Sequence, residues 1–155
     1  MTDDPVIRLE PFQPGDQEPA KRLILAGLEQ HWGVLDLSMN PDLDDIAASY
    51  AGAIFLGARQ AGRIVGTGAL VPRPDGVAEI VRMSVDRQLR RQGLGRMILS
   101  ELHRRATRMG FRRIVLETTE AWQEVVAFYL DYGFHITHRQ DGDVYFALDL
   151  AEEPG

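Results

Sequence analysis

A hydrophobic strand that runs into a basic loop and then into a helix opened by two glycines constrains this chain more than any other feature. The segment reads Val85-Asp86-Arg87-Gln88-Leu89-Arg90-Arg91-Gln92-Gly93-Leu94-Gly95-Arg96. A helix start presents unpaired backbone N–H groups and a partial positive charge. Glycines let an anion approach that backbone closely, and arginines add charge-assisted hydrogen bonds. The segment is therefore suited to a pyrophosphate. It is not the Gly-x-Gly-x-x-Gly fingerprint, because Ile98 stands where the third glycine belongs, and it is not a Walker loop, because Gly95-Arg96-Met97 replaces Gly-Lys-Ser/Thr.

Charge is distributed around this segment. The 155-residue chain carries a formal net charge of −6. Ten arginines lie between Arg82 and Arg113, opposed there only by Asp86 and Glu101, so the stretch carries +8 and the remainder −14. A general nucleic-acid binder would be basic overall, so the balance speaks against nucleic acid but not against a compact phosphate. The chain has no cysteine, which excludes disulfides, thiolate metal sites and a cysteine nucleophile. No run of about 18 apolar residues suggests a membrane span, and the acidic start suggests no export signal, so the expected location is cytoplasmic.

Periodicity and turn residues predict one mixed α/β (α+β) domain over residues 1–155, with its core at about 6–150. Strands are predicted at Val6–Phe12, Ala53–Arg59, Arg63–Val71, Val77–Val85, Arg113–Thr118, Phe134–His138 and Asp143–Leu150. Helices are predicted at Pro19–Trp32, Pro41–Tyr50 (with Asn40 as its cap), Leu94–Met109 and Ala121–Tyr132. The order is β-α-α-β-β-β-α-β-α-β-β: mostly antiparallel hairpins around a central βαβ unit.

Arg90-x-x-Gly93-x-Gly95, following Glu79-Ile80-x-x-Met83-x-Val85, resembles the acetyl-coenzyme A motif of the Gcn5-related N-acetyltransferase (GNAT) family. Leu116-Glu117-Thr118-Thr119 and Phe128-Tyr129-x-x-x-Gly133-Phe134 continue the match about 35 residues further on, in the family's order. Many members carry an asparagine seven residues before the tyrosine, where this chain has Trp122. The resemblance implies a GNAT-like fold and acetyl-coenzyme A as co-substrate. It assigns the pyrophosphate to Arg90, Arg91, Gln92, Gly93, Leu94, Gly95 and Arg96, and the pantetheine arm to the backbone of Met83, Ser84 and Val85 beside a widened strand gap. It also suggests a homodimer.

Acetyl transfer to an amine needs a neutral amine, a polarised thioester carbonyl and a proton for the departing thiolate. The resemblance gives that last task to Tyr129, whose ordinary pKa of about 10 keeps it protonated at neutral pH. Glu79 is the candidate base. Strand alternation would put it on one face with Val81, Met83 and Val85, apolar surroundings that favour proton uptake. Trp32 and Asp36 lie where the family builds its acceptor pocket, and Tyr145 on the closing strands is a further candidate for substrate contact. His135 and His138, three apart on a predicted strand, point to opposite faces by alternation and make no metal pair; no metal is expected. The expected function is direct acetyl transfer, in a ternary complex, to the primary amine of a small molecule. A protein N-terminal or lysine acetyltransferase and a non-catalytic acyl-coenzyme A sensor are the alternatives.

Overall fold

The structure, a computed structural model, describes residues 6–32, 40–90 and 92–150. The strands are β1 (Ile7–Pro11), β2 (Ile54–Gln60), β3 (Arg63–Arg73), β4 (Val77–Val85), β5 (Arg113–Thr119), β6 (His135–Gln140) and β7 (Asp143–Asp149). The helices are α1 (Gln17–Trp32), α2 (Ile46–Ser49), α3 (Leu94–Arg108) and α4 (Gln123–Tyr132). The predicted element order holds throughout. The second predicted helix is broken into a 3-10 turn at Pro41–Asp44 and the short α2, because Asp45, not Asn40, caps it by accepting from the Ala48 N–H at 3.1 Å.

The strands form one seven-stranded sheet in the order β1-β2-β3-β4-β5-β7-β6. Every pairing is antiparallel except β4 with β5, where the chain crosses over through α3. On one face α3 buries Leu94, Ile98, Leu99, Leu102 and Ala106 against Leu56, Val65, Leu70 and Ile80, and α4 adds Tyr129. Met109, predicted to lie on this stripe, is exposed, because it is the residue at which α3 ends. His103 of α3 and the Tyr132 hydroxyl of α4 are 2.8 Å apart, which joins the two helices at their outer side. On the other face α1 and the Pro41–Ser49 segment bury Ala20, Ile24, Leu43 and Ile46 against Phe55 and Ala69. Each helix thus buries one apolar stripe, and the sheet is covered from both sides.

Candidate active site

The site begins with an irregularity in β4. From Arg73↔Val77 to Ala69↔Val81, β3 and β4 keep step; beyond it, Thr67 faces Ser84. Arg82 and Met83 therefore share the place opposite Gly68, a β-bulge. Arg82 adopts φ +56°, a left-handed conformation that costs an L side chain about 1–2 kcal/mol. Two features hold it. Thr67 Oγ1 donates to the Arg82 carbonyl at 2.8 Å. The guanidinium makes a two-pronged pair with Asp42, Nε to Oδ2 at 2.9 Å and Nη2 to Oδ1 at 2.6 Å, and reaches Asn40 at 3.1 Å.

The bulge corrects the expected alternation. Slipping one residue moves every later side chain to the other face. Val81 packs with the α1 cluster, whereas Met83 and Val85 pack with the α3 cluster, so Glu79 does not share a face with those two. Ser84 turns toward α1, its hydroxyl 3.5 Å from the Leu23 carbonyl. Glu79 keeps Val71 and Val115 as cross-strand neighbours on its own face, but it is also paired. Its carboxylate accepts from Arg73 Nε at 2.8 Å and pairs with Nη2 at 2.7 Å.

β4 and β5 pair only at Val77↔Arg113, Ala78↔Ile114 and Glu79↔Val115. Beyond Glu79, β4 follows β3 as far as Gly66↔Val85, while β5 follows β7 as far as Thr119↔Asp143. The two strands part, and the edge of β4 from Ile80 to Val85 is left without a strand partner on that side. An extended ligand can add to such an edge as a strand.

The basic loop leads from this opening to α3. Asp86 accepts from the Gln88 N–H at 2.9 Å and shapes a short turn at Arg87–Leu89. Gly93 caps α3 at φ +83°, and a Cβ built on it would meet nothing within 4 Å. Leu94, only 2% exposed, anchors the first turn in the core. Arg90 and Gln92 are exposed beside the cap. Arg96 sits over the Tyr132 ring at 5.2 Å and 3.6 Å from Asp131, which ties the start of α3 to α4. The rest of the basic block is largely partnered elsewhere: Arg104 and Arg105 hold Glu101, Arg113 holds Asp149, and Arg112 donates to the Asp75 carbonyl. Arg91 and Asp36 lie outside the described residues, as does the side chain of Trp32.

Tyr129 is 6% exposed and packed by Phe128, Phe134 and Phe146 at centroid distances of 5.1, 5.8 and 5.7 Å. Burial pushes its hydroxyl well above the ordinary tyrosine range. Trp122, in place of the common asparagine, is the residue that caps α4. Tyr145 stands on β7, cross-strand to Glu117 of β5 and His138 of β6. A second bulge, between Ile136 and His138, brings His135 and His138 to one face rather than two. Among the described residues no group of three or more His, Asp or Glu is arranged for a metal.

Sequence reasoning missed the network of Arg82, Asp42 and Tyr50. The Tyr50 hydroxyl donates to Asp42 at 2.6 Å. Burial pushes the Asp42 carboxyl up, but hydrogen bonds from Arg82 and Tyr50 and the guanidinium charge outweigh it, and the group ends below the usual carboxylate value. The only signal in the sequence is an arginine midway along β4, among mostly apolar residues.

A family model described as the acetyltransferase (GNAT) family matches residues 19–134. The chain is 26% identical over 111 residues to human N-acetyltransferase 8B, a match covering 66% of this chain and 49% of that protein. It is 30% identical over 105 residues to the uncharacterized N-acetyltransferase YjgM of Escherichia coli, covering 64% of this chain and 63% of that protein. The matches thus span from about half to just under two thirds of these relatives' length. Among solved structures, an acetyltransferase of the GNAT family from Staphylococcus aureus superposes with a TM-score of 0.86 at 22% identity, covering 94% of this chain and 100% of that one. The PaiA N-acetyltransferase of Thermoplasma acidophilum, solved with coenzyme A, gives 0.82 at 16% identity, covering 93% and 99%. The family match takes in well over half of the sequence, from within α1 to Phe134 just past the glycine cap of α4, and on that ground this chain belongs to the acetyltransferase (GNAT) family.

Proposed function

We propose that this chain transfers an acetyl group from acetyl-coenzyme A directly to the primary amine of a small molecule, within a ternary complex. The observation that carries the reading is the parting of β4 and β5 beside a helix start capped by glycine at positive φ. Acetyl-coenzyme A suits these residues. The backbone N–H groups from Gly93 to Arg96, with Arg90, suit the pyrophosphate, and no side chain at Gly93 stands in its way. The open edge of Met83, Ser84 and Val85 suits the pantetheine arm. A GNAT-fold protein solved with coenzyme A supports coenzyme A as the ligand.

In this reading the amine nitrogen attacks the thioester carbon, the C–S bond breaks, and the sulfur takes a proton from Tyr129. The acceptor ammonium gives up two protons in all. One passes to solvent through Glu79, whose carboxylate Arg73 orients, and the other restores Tyr129. Absence of cysteine excludes an acyl-cysteine intermediate. The proposal extends to a cytoplasmic enzyme acting on a small molecule rather than on nucleic acid or membrane.

Calorimetric titration with coenzyme A, followed by an acceptor screen reading thiol release from acetyl-coenzyme A, tests it. Binding and turnover of at least one small amine are expected. Turnover of peptides alone would make the chain a protein acetyltransferase, and tight binding with no turnover would make it a sensor. Glu79→Gln should lower the maximal rate and shift the pH–rate profile; an unchanged profile places the base elsewhere.

A further inference from the structure

Three side chains cross the sheet in one row on the β5 side of the opening. Glu117, Tyr145 and His138 are cross-strand neighbours, through the pairs Glu117↔Tyr145 and His138↔Tyr145. Such neighbours project from the same face. Val115 is level with Glu79 in the last pair of the parallel seam, and Glu117 stands two residues further along β5. The row therefore ends at Glu117, on the lip of the opening, on the face that carries Glu79, Val81 and α1.

The row is an ordered structure. The rings of Tyr145 and His138 stack, with centroids 4.2 Å apart and planes 7° apart. Thr137 Oγ1 lies 2.9 Å from His138 Nδ1 and steadies that ring. The Tyr145 phenol stands beside the Glu117 carboxylate, whose hydrogen-bonding and charge push it above its ordinary value. His138 stacks on the tyrosine ring from the β6 side, and Glu117 is its neighbour on the β5 side.

Charge separates the two banks of the opening. On the β4 bank the Arg82 cation is matched by Asp42. On the β5 bank no described cation pairs with Glu117. Asp141 and Asp143 add to the negative field at Tyr145. A ladder that served only to stiffen the sheet would not need an uncompensated carboxylate at the lip. A carboxylate that accepts one bond from Tyr145 keeps lone pairs for further donors. The open face of an aromatic ring attracts a cation at close range.

We infer that Glu117 and Tyr145 form the ammonium-binding end of the acceptor site. They take a cationic primary amine that has no carboxylate beside it. Glu117 accepts from the ammonium, the Tyr145 ring packs against its carbon skeleton, and His138 holds that ring in place. Free α-amino acids are disfavoured, because their carboxylate would meet Glu117, Asp141 and Asp143. This inference rests on the acetyltransferase reading and narrows its acceptor.

The test uses the full chain with acetyl-coenzyme A and five probe amines: putrescine, glycinamide and lysine methyl ester against glycine and glutamate. The first three should be preferred. Glu117→Gln, which keeps an acceptor for Tyr145, should raise the KM of the cationic amines at least about tenfold while leaving the KM for acetyl-coenzyme A unchanged. Tyr145→Ala should act in the same sense. Equal use of the free amino acids, or an acceptor KM that the variants do not move, overturns the inference. If none of the five is turned over, their binding to the coenzyme A-loaded protein is read by NMR. Shifts centred on Glu117, Tyr145 and His138 support the inference, and their absence overturns it. Failure of coenzyme A itself to bind strikes the acetyltransferase reading instead.

Discussion

Tyr129 combines two demands on one side chain. Its ring fills the core between Phe134 and Phe146, while its hydroxyl has no hydrogen-bond partner among the described residues. Burial keeps the proton on oxygen across the neutral range, the state an acid must start from. Tyr129→Phe keeps the ring contacts. It should lower kcat by about a hundredfold or more while leaving coenzyme A affinity and thermal stability near those of the parent. A variant with full kcat would remove this residue from the chemistry. Its place at the end of α4 was legible because Tyr-x-x-x-Gly-Phe spans that helix end and its glycine cap, a purely local pattern. Glu79 was legible as a strand carboxylate, but its Arg73 partner was not, because the pair depends on which residue β3 sets against β4.

Among the elements, β4 shows where sequence periodicity stops informing. Its bounds, Val77 to Val85, follow from the turns on either side and match the structure. Its faces do not follow, because the bulge at Arg82 is fixed by Thr67 on β3 and by Asp42, 40 residues earlier. The same holds for β6, where a bulge brings His135 and His138 together. Gly68 is the other half of the β4 device. A Cβ there would lie 2.7 Å from Met83 Sδ and from Ile98 Cγ2, and 3.0 Å from a Leu102 methyl. Gly68→Ala should therefore cost about 1–3 kcal/mol in denaturant unfolding, because α3 must move off the bulge. A neutral substitution would mean that the contact between α3 and β3 is looser than these distances say.

At the scale of the whole molecule, the single sheet is two antiparallel halves joined by a short parallel seam. β1 to β4 make one, β5, β7 and β6 the other, and Val77–Glu79 with Arg113–Val115 is the joint between them. Element order and the βαβ unit were legible from turn residues and the amphipathic stripe of α3. The length of the seam was not, because it depends on how far β4 follows β3 rather than β5. A ligand that adds a strand along β4 closes this opening. Coenzyme A should therefore slow amide hydrogen exchange at Ile80–Val85 and in the first turn of α3, with little change in β1 and β2. Protection spread evenly over the sheet, or confined to α4, would argue against binding in the opening.

The pair between Arg82 and Asp42 has a consequence for how this scaffold diversifies. One partner sits on the bulge beside the opening, and the other belongs to the segment that covers the α1 face. A substitution that reshapes that cover by removing Asp42 also strands a guanidinium on a strained turn of β4. Evolutionary steps at position 42 are thus epistatic with position 82, and the sequence paths open to a new cover run through paired changes or through changes that leave both residues in place.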